Sequence, residues 1–191
     1  ADLAGLRILV QGCGAIGSAV AGQLAQAGAE LLLTDIDGQR AHILAQQTGA
    51  RIVTADAWLG EKIDIFCPCA LGGVVDRSVA RQLSAWAVCG AANNVISSEA
   101  AEQILGERGL LFVPDVVASA GAVIEGVGKR IMGLQDCRPL LARIGETAAR
   151  ILQRADRSKK LPSTIAQELA FERIEQAESQ RQTDDPAHNA K

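Results

Sequence analysis

The chain has 191 residues and a mass of 20.0 kDa, the size of one domain or of one domain with a helical appendage. With 19 Lys+Arg against 22 Asp+Glu its net charge is -3, so no basic excess exists to hold a phosphate backbone, and a nucleic-acid partner is not expected. Hydrophobic residues at 48% allow a sizeable core and rule out general disorder, while 3% aromatics and no Tyr leave few platforms for stacking bases or sugars.

The first apolar run, Ile8-Leu9-Val10, lies in a strand over 7–11 that ends in a glycine cluster. Helical spacing follows over 15–27, with Gly28 placed to stop it. Leu31-Leu32-Leu33-Thr34 reads as a second strand, 39–48 as a helix and 51–53 as a third strand. A fourth strand is expected over 63–66 before Cys67-Pro68, a short helix over 76–83, and a fifth strand over 86–89. A helix over 97–108 and a sixth strand over 110–113, stopped by Pro114, complete the alternation. Beyond it only helices are expected, over 119–133, 139–157 and 163–180. The polar stretch after them reads as a disordered tail. Alternating strands and helices with short connections predict an α/β fold, a doubly wound, mostly parallel sheet with added C-terminal helices. The expected division is a core over 1–135, packing helices over 136–181 and the tail over 182–191.

No apolar run is long enough to span a bilayer, and the opening residues lack the pattern of a secretory signal. The one Met is Met132, so the sequence reads as processed or cut from a longer chain. Five cysteines, Cys13, Cys67, Cys69, Cys89 and Cys137, lie mostly inside apolar runs and read as reduced thiols of a cytoplasmic protein. His42 and His188 are too remote from Cys67-Pro68-Cys69 to suggest a zinc site, and no metal is expected.

Gly12-Cys13-Gly14-Ala15-Ile16-Gly17 is a G-x-G-x-x-G between the first strand and the first helix. In such a motif the first glycine makes the tight turn, the second lets the main chain approach a pyrophosphate, and the third lets the helix pack closely on the sheet. The diphosphate then meets the free N–H groups at the positive end of the helix. Asp35, at the tip of the second strand, is suited to accept both ribose hydroxyls and to repel a 2′-phosphate, so NAD is expected rather than NADP. The fold expected is Rossmann-type, with Gly12, Cys13, Gly14, Ala15, Ile16, Gly17, Asp35 and Ile36 against the cofactor. Asp37, before Gly38, reads as a turn residue.

Four further segments fall at the carboxyl ends of later strands: Cys67-Pro68-Cys69-Ala70-Leu71-Gly72, Gly90-Ala91-Ala92-Asn93-Asn94, Val113-Pro114-Asp115 and Ser119-Ala120-Gly121-Ala122. With the opening Asp2-Leu3-Ala4-Gly5-Leu6-Arg7, they resemble the cofactor domain of the leucine/phenylalanine/valine dehydrogenases, relatives of glutamate dehydrogenase. The resemblance runs from about residue 2 to about residue 178. It implies oxidative deamination of a branched-chain or aromatic L-amino acid to a 2-oxo acid. Cys69, Ala70 and Leu71 would wall the cofactor, and Ala92, Asn93 and Asn94 would meet the nicotinamide carboxamide or its ribose. Ser119, Val123 and Gly126 would face the substrate. The family has Asn-Ala-Gly-Gly where this chain has Ser119-Ala120-Gly121-Ala122, so the polar reach is shorter and a methyl is added. Gly126 leaves room for a larger, aromatic side chain.

In the family the general base is a Lys of lowered pKa assisted by an Asp, a second Lys holds the substrate carboxylate, and all three sit in an N-terminal domain. None of Lys62, Lys129, Lys159, Lys160 and Lys191 stands in a Gly-Gly-x-Lys context, so no catalytic residue is assigned. The expectation is a cofactor-binding half that holds NAD weakly and turns nothing over alone. Its partners would be an amino-acid or 2-oxo-acid substrate, further copies in a homo-oligomer, or the missing N-terminal domain, and no membrane. Two other readings stay open: a non-enzymatic NAD-sensing domain, and an assembly module using the C-terminal helices.

Overall fold

In the computed structural model, which describes residues 3–184, the central strands Arg7–Gln11, Glu30–Thr34 and Ile65–Pro68 form from apolar runs buried on both faces. β1 (Arg7–Gln11) leads to α1 (Ala15–Gln26), β2 (Glu30–Thr34), α2 (Gly38–Thr48) and β3 (Arg51–Ile52). After a 3-10 turn (Trp58–Gly60) come β4 (Ile65–Pro68), α3 (Arg77–Gln82), β5 (Ala87–Val88), α4 (Glu99–Glu107) and β6 (Leu111–Phe112). The chain ends in α5 (Asp115–Ala118), α6 (Gly121–Arg130), α7 (Arg138–Ser158) and α8 (Pro162–Asp184).

The six strands form one parallel sheet in the order β3-β2-β1-β4-β5-β6. Successive side chains of a strand point to opposite faces, so β1, β2 and β4 each feed two cores. Ile8 and Val10 join Leu31, Leu33 and Cys67 under Ala21 of α1 and Ala41 and Leu44 of α2. Leu9 joins Leu32, Phe66, Val88 and Phe112 on the other face, under Ala80 of α3 and Ala101 and Leu105 of α4. There Trp58 stacks on Phe66 with ring centroids 4.8 Å apart. The chain runs outward from β1 to β3 and then returns to lay β4 on the other side of β1. Such a reversal opens a crevice at the carboxyl ends of the two central strands.

Three expectations need correction. β4 covers Ile65–Pro68 rather than 63–66; Ile63 is buried, but its N–H goes to the Ser84 carbonyl, outside the ladder. The helix expected over 119–133 is shorter, α6 over Gly121–Arg130, and an unexpected short helix, α5, precedes it directly after Pro114 and ends at Ala118. Asp37 is the N-cap of α2, accepting from the Gln39 and Arg40 N–H groups.

α7 and α8 pack on each other through Ile151, Ala155, Ile165, Ala166 and Leu169, with Val117 of α5 against them. The buried Glu102 of α4 accepts the Ser163 N–H at 3.0 Å and so ties the start of α8 to the core. Arg154 spans Glu168 and Glu172 at 3.2 and 2.8 Å. α8 continues to Asp184; the rest of the expected tail, with His188 and Lys191, lies outside the described residues. Among the described residues no helix is long and apolar enough to cross a membrane.

Candidate functional site

The turn after β1 is built by contacts that no side chain would permit. The Gly12 N–H donates to the Thr34 carbonyl at 2.8 Å, which joins the tips of β1 and β2. Gly12 has φ +99, and a Cβ there would stand 2.8 Å from the Ala70 Cβ. A Cβ on Gly17 would stand 1.8 Å from the Gly12 carbonyl oxygen. Both positions therefore demand glycine. Gly14, the N-cap of α1, faces open space, has no side-chain cap, and is followed by no acidic residue in the first turn. The first N–H groups of α1 thus remain available to an anion.

Asp35 leans across this turn. One carboxylate oxygen accepts the Cys13 N–H at 2.5 Å and the other the Asp37 N–H at 2.8 Å. A carboxylate oxygen has two lone pairs, so each retains one for a further donor. Burial first, and the Asp35 charge second, push the Cys13 thiol up to about 11, which makes it inert. Arg40, the nearest cation along the chain, is paired with Asp37 at 3.1 Å. Asp35 lines a crevice of about 250 Å³ with Gln11, Thr34, Trp58, Ala70 and Leu71. Ile36 and Leu71, 96% and 81% exposed, stand as apolar rims. Gln11 Oε1 and Thr34 Oγ1 are buried without a hydrogen-bond partner. These bare polar atoms, the tight glycines and the uncapped helix end suit a dinucleotide: a diphosphate at the turn, a ribose at Asp35, a flat base between apolar rims.

The expected residues on the far side also come together. The Cys69 N–H donates to the Gln11 carbonyl at 2.7 Å, which brings the loop after β4 beside the turn. Ala92 is buried in the core, its N–H on the Pro68 carbonyl, so it supports the wall from behind. Asn93 and Asn94 are exposed. Asn94 adopts the left-handed φ +53, and its N–H is held by the Asp115 carboxylate at 2.6 Å. Ser119 caps α5 in the helix break, its Oγ 2.8 Å from Asn93 Oδ1 and 2.7 Å from the Asp115 carbonyl. One hydroxyl proton serves one acceptor, so both contacts are met when the Asn93 amide turns its NH2 to Ser119. Val123 and the open Gly126 stand exposed on α6. Ala15 and Ile16 are exposed on the first turn of α1.

Asp115 was not singled out from the sequence as a site residue. Its position at the first turn of α5 gave the signal, but its partner Asn94 is 21 residues away. Gly72 was missed as well: a Cβ there would stand 2.5 Å from the Asn93 carbonyl oxygen. Lys129 is held by Glu125 at 2.5 Å, and that contact raises its pKa. Among the described residues no cluster of His, Cys, Asp and Glu is arranged to hold a metal ion. A larger cavity, about 660 Å³, lies at the amino ends of the strands beside Arg7, Glu30, Arg51 and Glu61, away from all these groups.

The profile of the family Glutamate/Leucine/Phenylalanine/Valine dehydrogenase matches residues 32–182. The leucine dehydrogenase of Thermoactinomyces intermedius is 33% identical over 185 residues, 95% of this chain and 50% of that one. The valine dehydrogenase of Streptomyces albus is 32% identical over 177 residues, 90% of this chain and 48% of that one. This chain spans about half the length of these relatives. The crystal structure of L-tryptophan dehydrogenase from Nostoc punctiforme superposes with a TM-score of 0.87 at 29% identity, over 92% of this chain and 54% of that one.

Proposed function

The chain belongs to the glutamate/leucine/phenylalanine/valine dehydrogenase family, and on that premise we propose that it is the NAD-binding part of an L-amino-acid dehydrogenase. The reaction of the whole enzyme is the oxidative deamination of a branched-chain or aromatic amino acid. Amino acid, oxidised dinucleotide and water give 2-oxo acid, ammonium, reduced dinucleotide and a proton.

Bound in the crevice, the dinucleotide supplies the hydride acceptor. The bare turn at Gly14 and the open end of α1 receive the diphosphate, and the free lone pairs of Asp35 accept the ribose hydroxyls. Ile36 and Leu71 cover the adenine. Cys69 and Ala70 wall the groove, and the Asn93–Asn94 turn presents amide groups to the carboxamide. Ser119 faces the substrate beside Asn93, and Val123 and Gly126 bound the side-chain pocket. These residues orient the ring and exclude water, which is where a binding domain contributes to rate. Proton transfer falls to groups outside these residues. Lys129 has its pKa raised by Glu125, the reverse of what a general base near neutral pH requires.

The observation that carries this reading is the Asp35 carboxylate reaching over the glycine turn to the Cys13 N–H. Calorimetry with NADH and NADPH tests it. Hydrogen bonds to a charged group contribute about 1.5–3 kcal/mol each, so NADH should bind at least ~10-fold more tightly. Asp35→Ala should remove most of that preference. Equal affinity of the unaltered chain for the two dinucleotides would overturn the reading.

A further inference from the structure

Four of the five cysteines converge on the end of β4, and two of them form a close pair. Cys67 lies in β4, on the strand face that packs against α1 and α2. Cys69 follows Pro68, and residues two apart on an extended chain share a face. Their sulfurs are 3.8 Å apart. The two differ in surroundings. Cys67 is 5% exposed, whereas Cys69 is half-buried beside the exposed Ala70 and Leu71. Cys89 and Cys13 stand nearby, near enough for charge on Cys69 to be felt at both.

Hydrogen bonding splits the roles of the pair. Either sulfur can donate in this contact; with the Cys67 thiol as donor and the Ala91 N–H on the same atom, the two outweigh burial and bring Cys69 down to about 7. The same contact, with burial, pushes Cys67 well above an ordinary thiol. The reachable sulfur is thus the one with thiolate character, which is what selects the site of attack on an oxidant.

We propose that Cys67 and Cys69 are a peroxide-oxidised dithiol site, in which Cys69 attacks a hydroperoxide and Cys67 closes a disulfide onto it. In the first step the Cys69 thiolate forms an S–O bond as the O–O bond breaks. The leaving oxygen takes up the proton that the Cys69 thiol had released and departs as an alcohol or water, and Cys69 becomes a sulfenic acid. In the second step the Cys67 sulfur attacks Cys69, the S–O bond breaks, and water leaves with the Cys67 proton. Two thiols lose two electrons and two protons in all, and the hydroperoxide takes them up. The sulfurs must close from 3.8 Å to about 2.05 Å. The Pro68–Cys69 peptide between the pair is held by its N–H on the Gln11 carbonyl and its carbonyl on the Ala92 N–H. Residues two apart on an extended strand stand about 6.6 Å apart, so closure must also draw the main chain in toward the Cβ separation of about 4 Å that a disulfide takes. A ring this short is strained, and strained disulfides are readily reduced. The assignment is independent of the dinucleotide reading.

Peptide mapping tests it on the intact chain. Trypsin cutting after Lys62 and Arg77 releases a peptide containing Cys67 and Cys69 and no other cysteine. After hydrogen peroxide and then an alkylating quench, this peptide should carry no alkyl group and be lighter by two hydrogens. Dithiothreitol should restore both thiols. Cys67→Ser should leave a sulfenic acid on Cys69 that dimedone traps, and Cys69→Ser should abolish the reaction at both positions. The unaltered chain decides the matter even if a variant fails to fold. The proposal is overturned if both thiols stay alkylatable, if the peptide is instead cross-linked to the one bearing Cys89, or if dimedone labels Cys67.

Discussion

The Ser119 hydroxyl and the Asn93 side chain meet at 2.8 Å across 26 residues of sequence. This contact joins the break between α5 and α6 to the loop after β5. The pair is exposed, so its contribution to stability is modest, about 0.5–1 kcal/mol. Ser119→Ala and Asn93→Ala should each lower the urea midpoint slightly, and the double variant should cost less than the sum. Strict additivity in that cycle would show that the contact is not made in solution.

Gly17→Ala and Gly14→Ala should behave oppositely. At position 17 the added methyl would strike the Gly12 carbonyl oxygen, a main-chain atom fixed by β1. Relief requires α1 to move off the sheet, so a loss of more than ~3 kcal/mol is expected, as for severe overpacking. At position 14 the methyl enters open space and φ is -72, which Ala accepts. Stability should stay within about 1 kcal/mol while dinucleotide affinity falls. Wild-type affinity in folded Gly14→Ala would mean that the diphosphate does not lie against this turn.

Glu102 should give the protein an acid-side stability slope. Burial raises its pKa, and the Ser163 N–H and hydroxyl only partly offset that. The folded value therefore lies above the unfolded value of about 4.3. Between the two the folded state binds more protons, so stability is greatest below the unfolded value and is lost as pH rises through the folded one. Glu102→Gln keeps an oxygen for the Ser163 N–H and removes the titration. Melting temperatures recorded across that window should rise toward acid for the unaltered chain and lack this component in the variant. An identical profile for the two would refute the role given to Glu102.

The junction of α7 with α8 should depend on its apolar seam rather than on its ion pairs. Ile165 is fully buried there, and Ile165→Ala should cost about 2–4 kcal/mol. Arg154, bridging Glu168 and Glu172, is part-exposed, with 39% of its side chain accessible. Arg154→Ala should cost under about 1 kcal/mol, less still in high salt. Denaturant titration compares them; a larger loss from Arg154→Ala would reverse the assignment.

Most of the sheet was legible because its signal is local. Ile8-Leu9-Val10 and Leu31-Leu32-Leu33 need only to be buried on both faces, and the runs say so directly. The glycine turn was legible for the same reason, since the constraint between Gly12 and Gly17 is enforced within one strand–helix junction. β4 slipped because Pro68 reads as a terminator. In the sheet it stands opposite Gln11, and its carbonyl, which proline retains, accepts from Ala92. α5 was not legible because Asp115–Ala118 is a single turn, too short to show a helical period. Pro114 starts an earlier, separate helix whose end Ser119 caps. The contacts of Asp115 with Asn94 and of Ser119 with Asn93 depend on how β5 and β6 lie side by side, which no local pattern encodes.

Gly72 sits where a methyl would touch the carbonyl oxygens of both Asn93 and Asn94, and Asn94 is in turn latched by Asp115. Segments descending from β4, β5 and β6 are consequently fused into a single jaw. That jaw is itself tied to the glycine bend through the Cys69 N–H on Gln11 and the close packing of Ala70 on Gly12. Any larger residue at position 72 would have to be accompanied by remodelling of its two neighbours, so these three stretches are constrained to change together.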